Sequence, residues 1–504
     1  MDNLLKLKLI GPILRSPWLW RFLRIICLLL LVAMTAWGWH HHRIAGIDVR
    51  DPLMYTNLTN HLFWVWWIMG IVFIALLFGR SWCSVCPLGW LNGLVARFGF
   101  RWEMPSWLQN FIPVTLVLVL LQLMVYFLAI HRFPDYTAVL LALCLLLSIG
   151  VGLLFRQRAF CSLLCPAGAM FGLYARIAPF QLRVINQDVC AGCDSQRCIA
   201  EPVEWQQHRL SSLVLYRKRQ LEGCPAGLVP AELNHSADCT LCLNCVQNCD
   251  KENVKVGFRP WLADLYASGL RPSETLFFLV LLGMLTANFS KVYVDLRLLV
   301  FWLPEQSARL LGWQENGYHV LAALWITLIF PLLMMLPGYL LLKLGEVSSS
   351  SLSGPPTGQT LPATVSTDEI NEPDGGFWAT LGRLALPFIP LILAAHAVLA
   401  LVKINAKAAY LPFALGDSSG VKSYLAMNVM QTVSNPGVLM PLDMLKWLIA
   451  LVLIAGLLFS CRVGYRLAVE QGDNVRSFMV ASFAGVTLVF GLYMATVIEW
   501  LFVR

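Results

Sequence analysis

The sequence predicts an all-α polytopic membrane protein of about nine spans with one small α+β domain inserted between them, and three observations carry that expectation. The 504 residues are 58% hydrophobic and only 13% charged, whereas an average soluble domain is roughly a quarter charged. The apolar residues gather in runs of the length a bilayer demands, about 20 residues each. One polar stretch in the first half interrupts those runs and holds most of the short-spaced cysteines.

Taken in order, residues 1–24 scatter Lys6, Lys8, Arg15, Arg21 and Arg24 among Leu and Trp, the pattern of a basic helix on the membrane surface. The charged lead is too long for a signal peptide, and no small-residue cleavage site follows. Candidate spans lie at 22–42, 61–79, 111–130, 136–155, 273–290, 317–342, 384–402, 444–461 and 477–498, the fifth being the shortest. They divide the chain into a four-span unit over 25–179, a cytoplasmic insert over 180–270, two spans over 271–345 and a three-span unit over 377–504. Residues 346–376 are rich in Ser, Gly, Pro and Thr and read as a flexible linker. Trp64, Trp66, Trp67, Trp82, Trp90 and Trp102 fall near span ends, where aromatic belts sit.

Charge orients the spans. With the N-terminus in the cytoplasm, 26 of the 37 Lys and Arg residues are cytoplasmic, as the positive-inside rule requires. That places the insert and its cysteines on the reducing side of a bacterial-type inner membrane and Arg504 outside. The net charge of +8 is spread over loops, so it orients helices and does not mark a nucleic-acid-binding surface.

Twelve of the 15 cysteines stand in short-spaced groups between Cys83 and Cys249; Cys27, Cys144 and Cys461 lie in apolar runs as small buried side chains. In Cys239-Thr-Leu-Cys242-Leu-Asn-Cys245-Val-Gln-Asn-Cys249, three thiolates at steps of three wrap one cubane, and the fourth cysteine reaches a neighbouring cluster. Zinc favours two separated Cys-x-x-Cys pairs. The companion group is Cys190-Ala-Gly-Cys193-Asp-Ser-Gln-Arg-Cys198, with Cys224-Pro225 after an insertion of about 25 residues. The crosswise rule gives one 4Fe–4S cluster to Cys190, Cys193, Cys198 and Cys249, and the other to Cys239, Cys242, Cys245 and Cys224. Zinc remains an alternative for the first group. The insert is therefore expected to be a two-cluster ferredoxin-like domain.

A third constellation is an internal repeat. Gly79-Arg80-Ser-Trp82-Cys83-Ser-Val-Cys86-Pro87-Leu-Gly89 ends the second span, and Arg158-Ala-Phe-Cys161-Ser-Leu-Leu-Cys165-Pro166-Ala-Gly168 follows the fourth. The four thiols can form a third metal centre or a redox-active dithiol, or the turns can be structural; all three readings stay open. Arg80, Trp82, Arg156 and Arg158 are candidates for residues beside a quinone.

Paired Cys-Pro turns after membrane helices, followed by a two-cluster insert, resemble the NapH/NosR/CcoG group of membrane polyferredoxins over about residues 55–290. The second turn has that group's Cys-x-x-x-Cys-Pro form and the first is one residue shorter. The extra C-terminal spans have no counterpart in the group. The resemblance implies electron exchange between the quinone pool and a redox partner protein, or electron supply to the maturation of another metalloenzyme; redox-regulated transport is a third reading.

His40, His41, His42, His61, His131 and His319 are expected near the outer face and His396 within the seventh span. No haem-attachment motif is present and haem is not expected. Arg217-Lys218-Arg219, in the insertion before Cys224, can face an acidic donor or lipid headgroups.

Overall fold

A computed structural model describes residues 3–39, 41–156, 158–199, 203–210, 213–220, 222–291, 294–313, 315–350, 376–470 and 475–500. Among the described residues, eight helices are long and apolar enough to cross a membrane, and a further apolar helix is shorter. In chain order the main elements are α1 (Pro17–Gly38), α2 (Leu58–Val95), α3 (Ile112–Phe127), α4 (Pro134–Leu154) and α5 (Pro166–Ala175). The insert follows, and then α6 (Pro272–Ser290), α7 (Val294–Leu310), α8 (Gly317–Gly345), α9 (Phe388–Gly416), α10 (Leu442–Glu470) and α11 (Val475–Ile498). Of the flexible linker expected over 346–376, residues 346–350 continue the helix Phe330–Ser350, and 351–375 lie outside the described residues, as do Arg504 and His40.

Local chemistry sets the helix ends. Ser16 caps α1 by accepting from the Leu19 amide, with Pro17 at the first helical position, so the helix begins earlier than its apolar run. Residues 17–24, expected on the membrane surface, therefore belong to this helix. The segment before it packs on the insert: Leu4 and Leu5 are buried with Val246, Val254 and Val256, and Arg15 pairs with Glu252 at 2.7 Å. Asn57 caps α2 through the amides of Thr59 and Asn60.

The least apolar span is the most enclosed. α6 has the lowest mean hydropathy of the spanning helices, 1.4, and 78% of its apolar window is buried. It faces protein on all sides, so Thr275, Thr286 and Ser290 are tolerated within it, each buried. Gly283 lets α8 approach so closely that a Cβ there would collide with the Ile326 carbonyl. The span expected at 273–290 is thus present at Pro272–Ser290, enclosed by its neighbours.

One continuous core joins Ile71 and Val72 of α2, Phe171 and Tyr174 of α5, Phe277 and Leu281 of α6, and Leu391, Leu453 and Val489 of α9, α10 and α11. The C-terminal spans are thus packed against the four-span unit. α7 follows α6 directly and carries exposed Leu298, Leu299 and Trp302; the sequence pattern had not separated it from a loop.

In the insert, β1 (Phe180–Val184) pairs antiparallel with β4 (Val254–Phe258), Phe180 opposite Phe258 and Val184 opposite Val254. Between Cys198 and Cys224 the chain forms a hairpin of β2 (Val203–Leu210) and β3 (Leu213–Gln220), where a loop was expected. Arg217, Lys218 and Arg219 lie on β3; their side chains lie outside the described residues.

Buried charge lies at the base of the insert, where Arg259 donates to the Ala175 and Ala178 carbonyls behind α5. Arg176, just past α5, meets Glu274 of α6 at 3.2 Å with both side chains 2% exposed. Glu274 also caps its own helix by accepting from the Arg271 amide. Asp264 accepts from Arg183, from the Ser236 amide and from Arg259; burial pushes its carboxyl up, but Arg259 and Arg183 hold it below the usual carboxylate range. Removing one partner of a buried pair costs about 3–5 kcal/mol. Arg176→Met should therefore lower thermal stability in detergent strongly, while the double change to leucine at Arg176 and Glu274 recovers most of it. Equal stability of the single variant and the parent would show the pair to be dispensable.

Candidate metal centres

The twelve grouped cysteines come together in three sets of four, and the local backbone explains each. In the first, the short helix Gln187–Ala191 is capped by Asn186 and presents Cys190; Cys193 follows after Gly192, with its Sγ 3.4 Å from Ser195 Oγ. Cys198 lies within electrostatic range of Cys249, Cys190 and Cys193. Asn253 ties the set together. Its amide N–H donates to Cys249 Sγ at 3.3 Å and its side-chain amide to Cys190 Sγ at 3.2 Å. The same side chain is held by Asn186, through the Asn186 amide and carbonyl. This residue was missed in the sequence, where its only signal is its place four residues after Cys249.

In the second set, Cys224, Cys239, Cys242 and Cys245 line one small pocket walled by Leu182, Leu228, Leu233, Leu243 and Pro230. The tight wrap takes Leu241 and Leu243 into the left-handed region, at φ of 51° and 64°, a conformation leucine adopts only where its surroundings fix it. Burial pushes the Cys239 thiol up to about 12 and that of Cys245 well above its ordinary value. Burial thus favours the neutral thiols in this pocket, and a thiolate there would need a cation to take its charge. Asn244 and Asn248 donate to the carbonyls of Gly223 and Glu222 and so hold the Cys224 loop against the cysteine helix.

The third set is built by the paired turns. Cys165 lies within electrostatic range of Cys161, Cys86 and Cys83. The two turns interlock through their glycines: a Cβ on Gly89 of the first would meet Cys161 Sγ of the second at 2.9 Å. Gly79, at φ of +57°, turns the chain out of the apolar part of α2. Cys165 caps α5, its Sγ accepting from the Gly168 amide at 3.4 Å. Among the described residues, no three His, Cys, Asp or Glu side chains close tightly enough to hold a single metal ion.

Arginines link the second and third sets. Arg80 donates to the Ala237 carbonyl at 2.6 Å, and the Arg158 amide to the Pro225 carbonyl at 3.3 Å. The Arg158 guanidinium donates to the Cys83 carbonyl at 3.1 Å and Arg24 to that of Ser84 at 2.8 Å. Glu222, two residues before Cys224, faces Arg97 at 2.8 Å and Arg24 at 3.8 Å. Burial pushes this carboxyl up, but the two arginines hold it below the usual range. The first and second sets adjoin, since Cys245 lies in range of Cys198.

Beside the third set is a cavity of about 560 Å³, lined by Arg80, Arg156, Arg158 and Arg271 together with Cys161 and Phe111. Arg80 Nε is buried without a hydrogen-bond partner among the described residues. Of the four residues expected beside a quinone, Trp82 is not on this wall; its ring packs edge-on against Trp67. The histidines are dispersed: His42 meets Asp135 at 3.0 Å, His319 meets Tyr126 at 3.3 Å, and His396 meets Tyr174 at 3.1 Å.

A family model described as a 4Fe–4S binding domain matches residues 60–105 and 137–184. These stretches contain Cys83, Cys86, Cys161 and Cys165 and stop short of the insert's cysteines. The chain is similar to the "Putative electron transport protein YccM" of Escherichia coli, 25% identical over 279 residues, which cover 45% of this chain and 71% of that one. It is also similar to two uncharacterized proteins of Methanocaldococcus jannaschii. MJ0749 is 25% identical over 40% of this chain and 71% of its own length; MJ0750 is 22% identical over 38% and 77%. No solved structure matches.

A hydrogen bond from a charged donor contributes about 1.5–3 kcal/mol. Arg80→Met should thus speed amide hydrogen exchange around Ala237 by about 10- to 100-fold and leave the β1–β4 pair protected. Unchanged exchange at Ala237 would mean the arginine does not hold the insert.

Proposed function

We propose that this protein is a membrane-bound iron–sulfur electron-transfer protein with a 4Fe–4S cluster at each of its three cysteine sets. On this reading it exchanges electrons between a quinone-class carrier and a redox partner protein. The observation that carries the proposal is the succession of three four-thiol sets, from the exposed tip of the insert to the bilayer-side turns, each adjoining the next.

The donor sets fit such clusters. Each supplies four thiols, the second in a pocket free of other polar side chains apart from Thr240. When bound, the clusters supply one-electron exchange at low cost in rearrangement. The chain's own residues do the rest. Asn253 aims two N–H groups at sulfurs of the first set, which favours the more negative, reduced state. Cys193 is open to solvent, and its hydrogen bond with Ser195 lowers the thiol's proton affinity, so the first set is where a soluble partner can approach. Arg80 and Arg158 fix the distance between the second and third sets.

The cavity beside Cys161 is where we place the carrier. Its volume lies within the range of about 300–1,000 Å³ usual for small-molecule sites. Phe111, Leu108 and Met104 give it an apolar side, and the guanidinium of Arg80 gives it a cationic side for a carbonyl or phenolate oxygen. With oxidised clusters held by the adjoining thiol sets, a quinol at this site would have one-electron acceptors beside it for its two electrons, and its two protons would leave to water. The similarity to a protein named for electron transport, and the 4Fe–4S family match over the turns, support the same reading.

Anaerobic purification with iron and sulfide analysis tests it. Three occupied sets give about twelve irons per chain, and serine at Cys161, Cys193 or Cys242 should each remove about a third of the iron and one electron paramagnetic resonance signal. An iron-free protein that still supports electron transfer in cells would overturn the proposal; about eight irons, unchanged in Cys161→Ser, would limit it to the insert.

A further inference from the structure

Clusters on one side of the membrane do not by themselves cross a hydrocarbon layer about 30 Å thick, yet a file of polar side chains does enter it. Tyr174 lies on α5, the helix that Cys165 caps. It is fully buried, and its hydroxyl is 3.1 Å from His396 Nδ1 on α9. Lys403 and Lys407 follow at seven and eleven residues beyond His396, positions that share one helix face. The file therefore runs about 16 Å outward along α9. Lys403 acts electrostatically on His396, and Lys407 stands over the Tyr55 ring at 4.8 Å.

We propose that Tyr174, His396, Lys403 and Lys407 form a proton file that couples electron charge at the paired cysteine turns to proton uptake from the opposite face of the membrane. It rests on the reading that the turns hold a redox centre, and goes beyond it by assigning a function to the C-terminal spans.

Three observations support the file. Ionisable groups at this depth are costly and persist where they carry ions or protons. His396 keeps part of its ring accessible while its Nδ1 engages Tyr174, so it can both receive and pass a proton. The outer end opens among cations: Lys291, at the end of α6, acts on Lys403, and Arg132 acts on Lys407. The other groups near the file are Tyr493 of α11, which acts on Tyr174 and pairs with Thr286 of α6 at 3.1 Å. Around the outer end stand His61, His131 and Asp51. Among the described groups, the charge that acts on His396 is Lys403, and Arg158 and Arg80 stand beside the thiols of the turns.

The magnitude is adequate. Tyr174 is nine residues past Cys165, about 13 Å along the helix. A unit negative charge at that distance, at an effective dielectric constant of about 20, raises proton affinity about tenfold. One electron donated to the turns by the carrier is thus accompanied by proton uptake at the His396–Tyr174 pair from water on the Lys407 side; the proton leaves when the electron does.

The test uses the full-length protein, purified anaerobically and reconstituted in vesicles. The midpoint potential of the centre at the turns should fall as pH rises from mildly acid to mildly alkaline, while the two centres of the insert show no such slope. His396→Gln and Tyr174→Phe should flatten the slope without loss of iron. Lys403→Met, at an exposed position that leaves the core intact, should keep the slope and slow its establishment. A pH dye on the Lys407 side should report alkalinisation on reduction, about tenfold or more slower in that variant. A purely structural His396–Tyr174 contact would leave both readouts unmoved. A pH-independent potential at the turns, or a slope preserved in both His396→Gln and Tyr174→Phe, overturns the coupling alone. A protein with no centre at the turns overturns the three-centre reading and the coupling with it.

Discussion

Two arginines in equivalent places hold the structure's redox half together. Arg80 and Arg158 each stand three residues before the first cysteine of a turn, so the internal repeat delivers two guanidinium groups as well as four thiols to one place. A guanidinium buried at the edge of a bilayer is tolerated only when its N–H groups find acceptors. Arg158 finds the Cys83 carbonyl of the other turn, and Arg80 finds Ala237, two residues before Cys239. The requirement to satisfy buried donors thereby fixes the insert on the membrane unit. Gly172 completes the fit: a side chain there would approach the Ala237 carbonyl to 3.0 Å. The same contacts that make the arginines stable set the spacing between the second and third thiol sets.

Hydropathy located the spans well because lipid-facing helices must be apolar throughout. It placed α6 within a residue of its observed bounds even though that helix is mostly enclosed by protein and its sequence is mixed. It gave no sign of α7, which runs directly from α6 without an apolar stretch of spanning length. Cysteine spacing indicated which thiols the chain brings near one another, since a step of three residues leaves little freedom. Spacing cannot reveal a residue that acts through its amide. Asn253 holds Cys190 and Cys249 together from outside every motif. Nor could it place Trp82: the turn after Gly79 sends that ring toward Trp67, away from the cavity that Arg80 faces.

The insertion before Cys224 shows how a departure from a motif is accommodated. About 25 residues separate Cys198 from Cys224, and loop-closure entropy for such a length is modest because it grows only logarithmically. The hairpin shortens the effective loop by pairing β2 with β3 from Val203 and Gln220 inward. Glu222 then meets Arg97 and Arg24, and Asn244 and Asn248 hold the Gly223 and Glu222 carbonyls just before Cys224. Cys224 reaches its set because its flanks are bonded to both the membrane unit and the cysteine helix.

The continuity of the core bears on the C-terminal spans. Had they formed a separate module, their apolar faces would meet one another and leave the four-span unit to lipid. Instead Leu391, Ile392 and Phe388 of α9 share a core with Phe171 and Tyr174 of the helix that Cys165 caps. That packing brings His396 to Tyr174, and it is costly to maintain, because a histidine at this depth has few partners to choose from. An apolar residue would fill the same space without a hydrogen bond to satisfy. The pairing of a buried tyrosine with a membrane histidine, where the C-terminal spans meet the helix that Cys165 caps, is a provision for charge. Electron carriers set in a low-dielectric layer need a compensating proton nearby, and α9 provides a route for it.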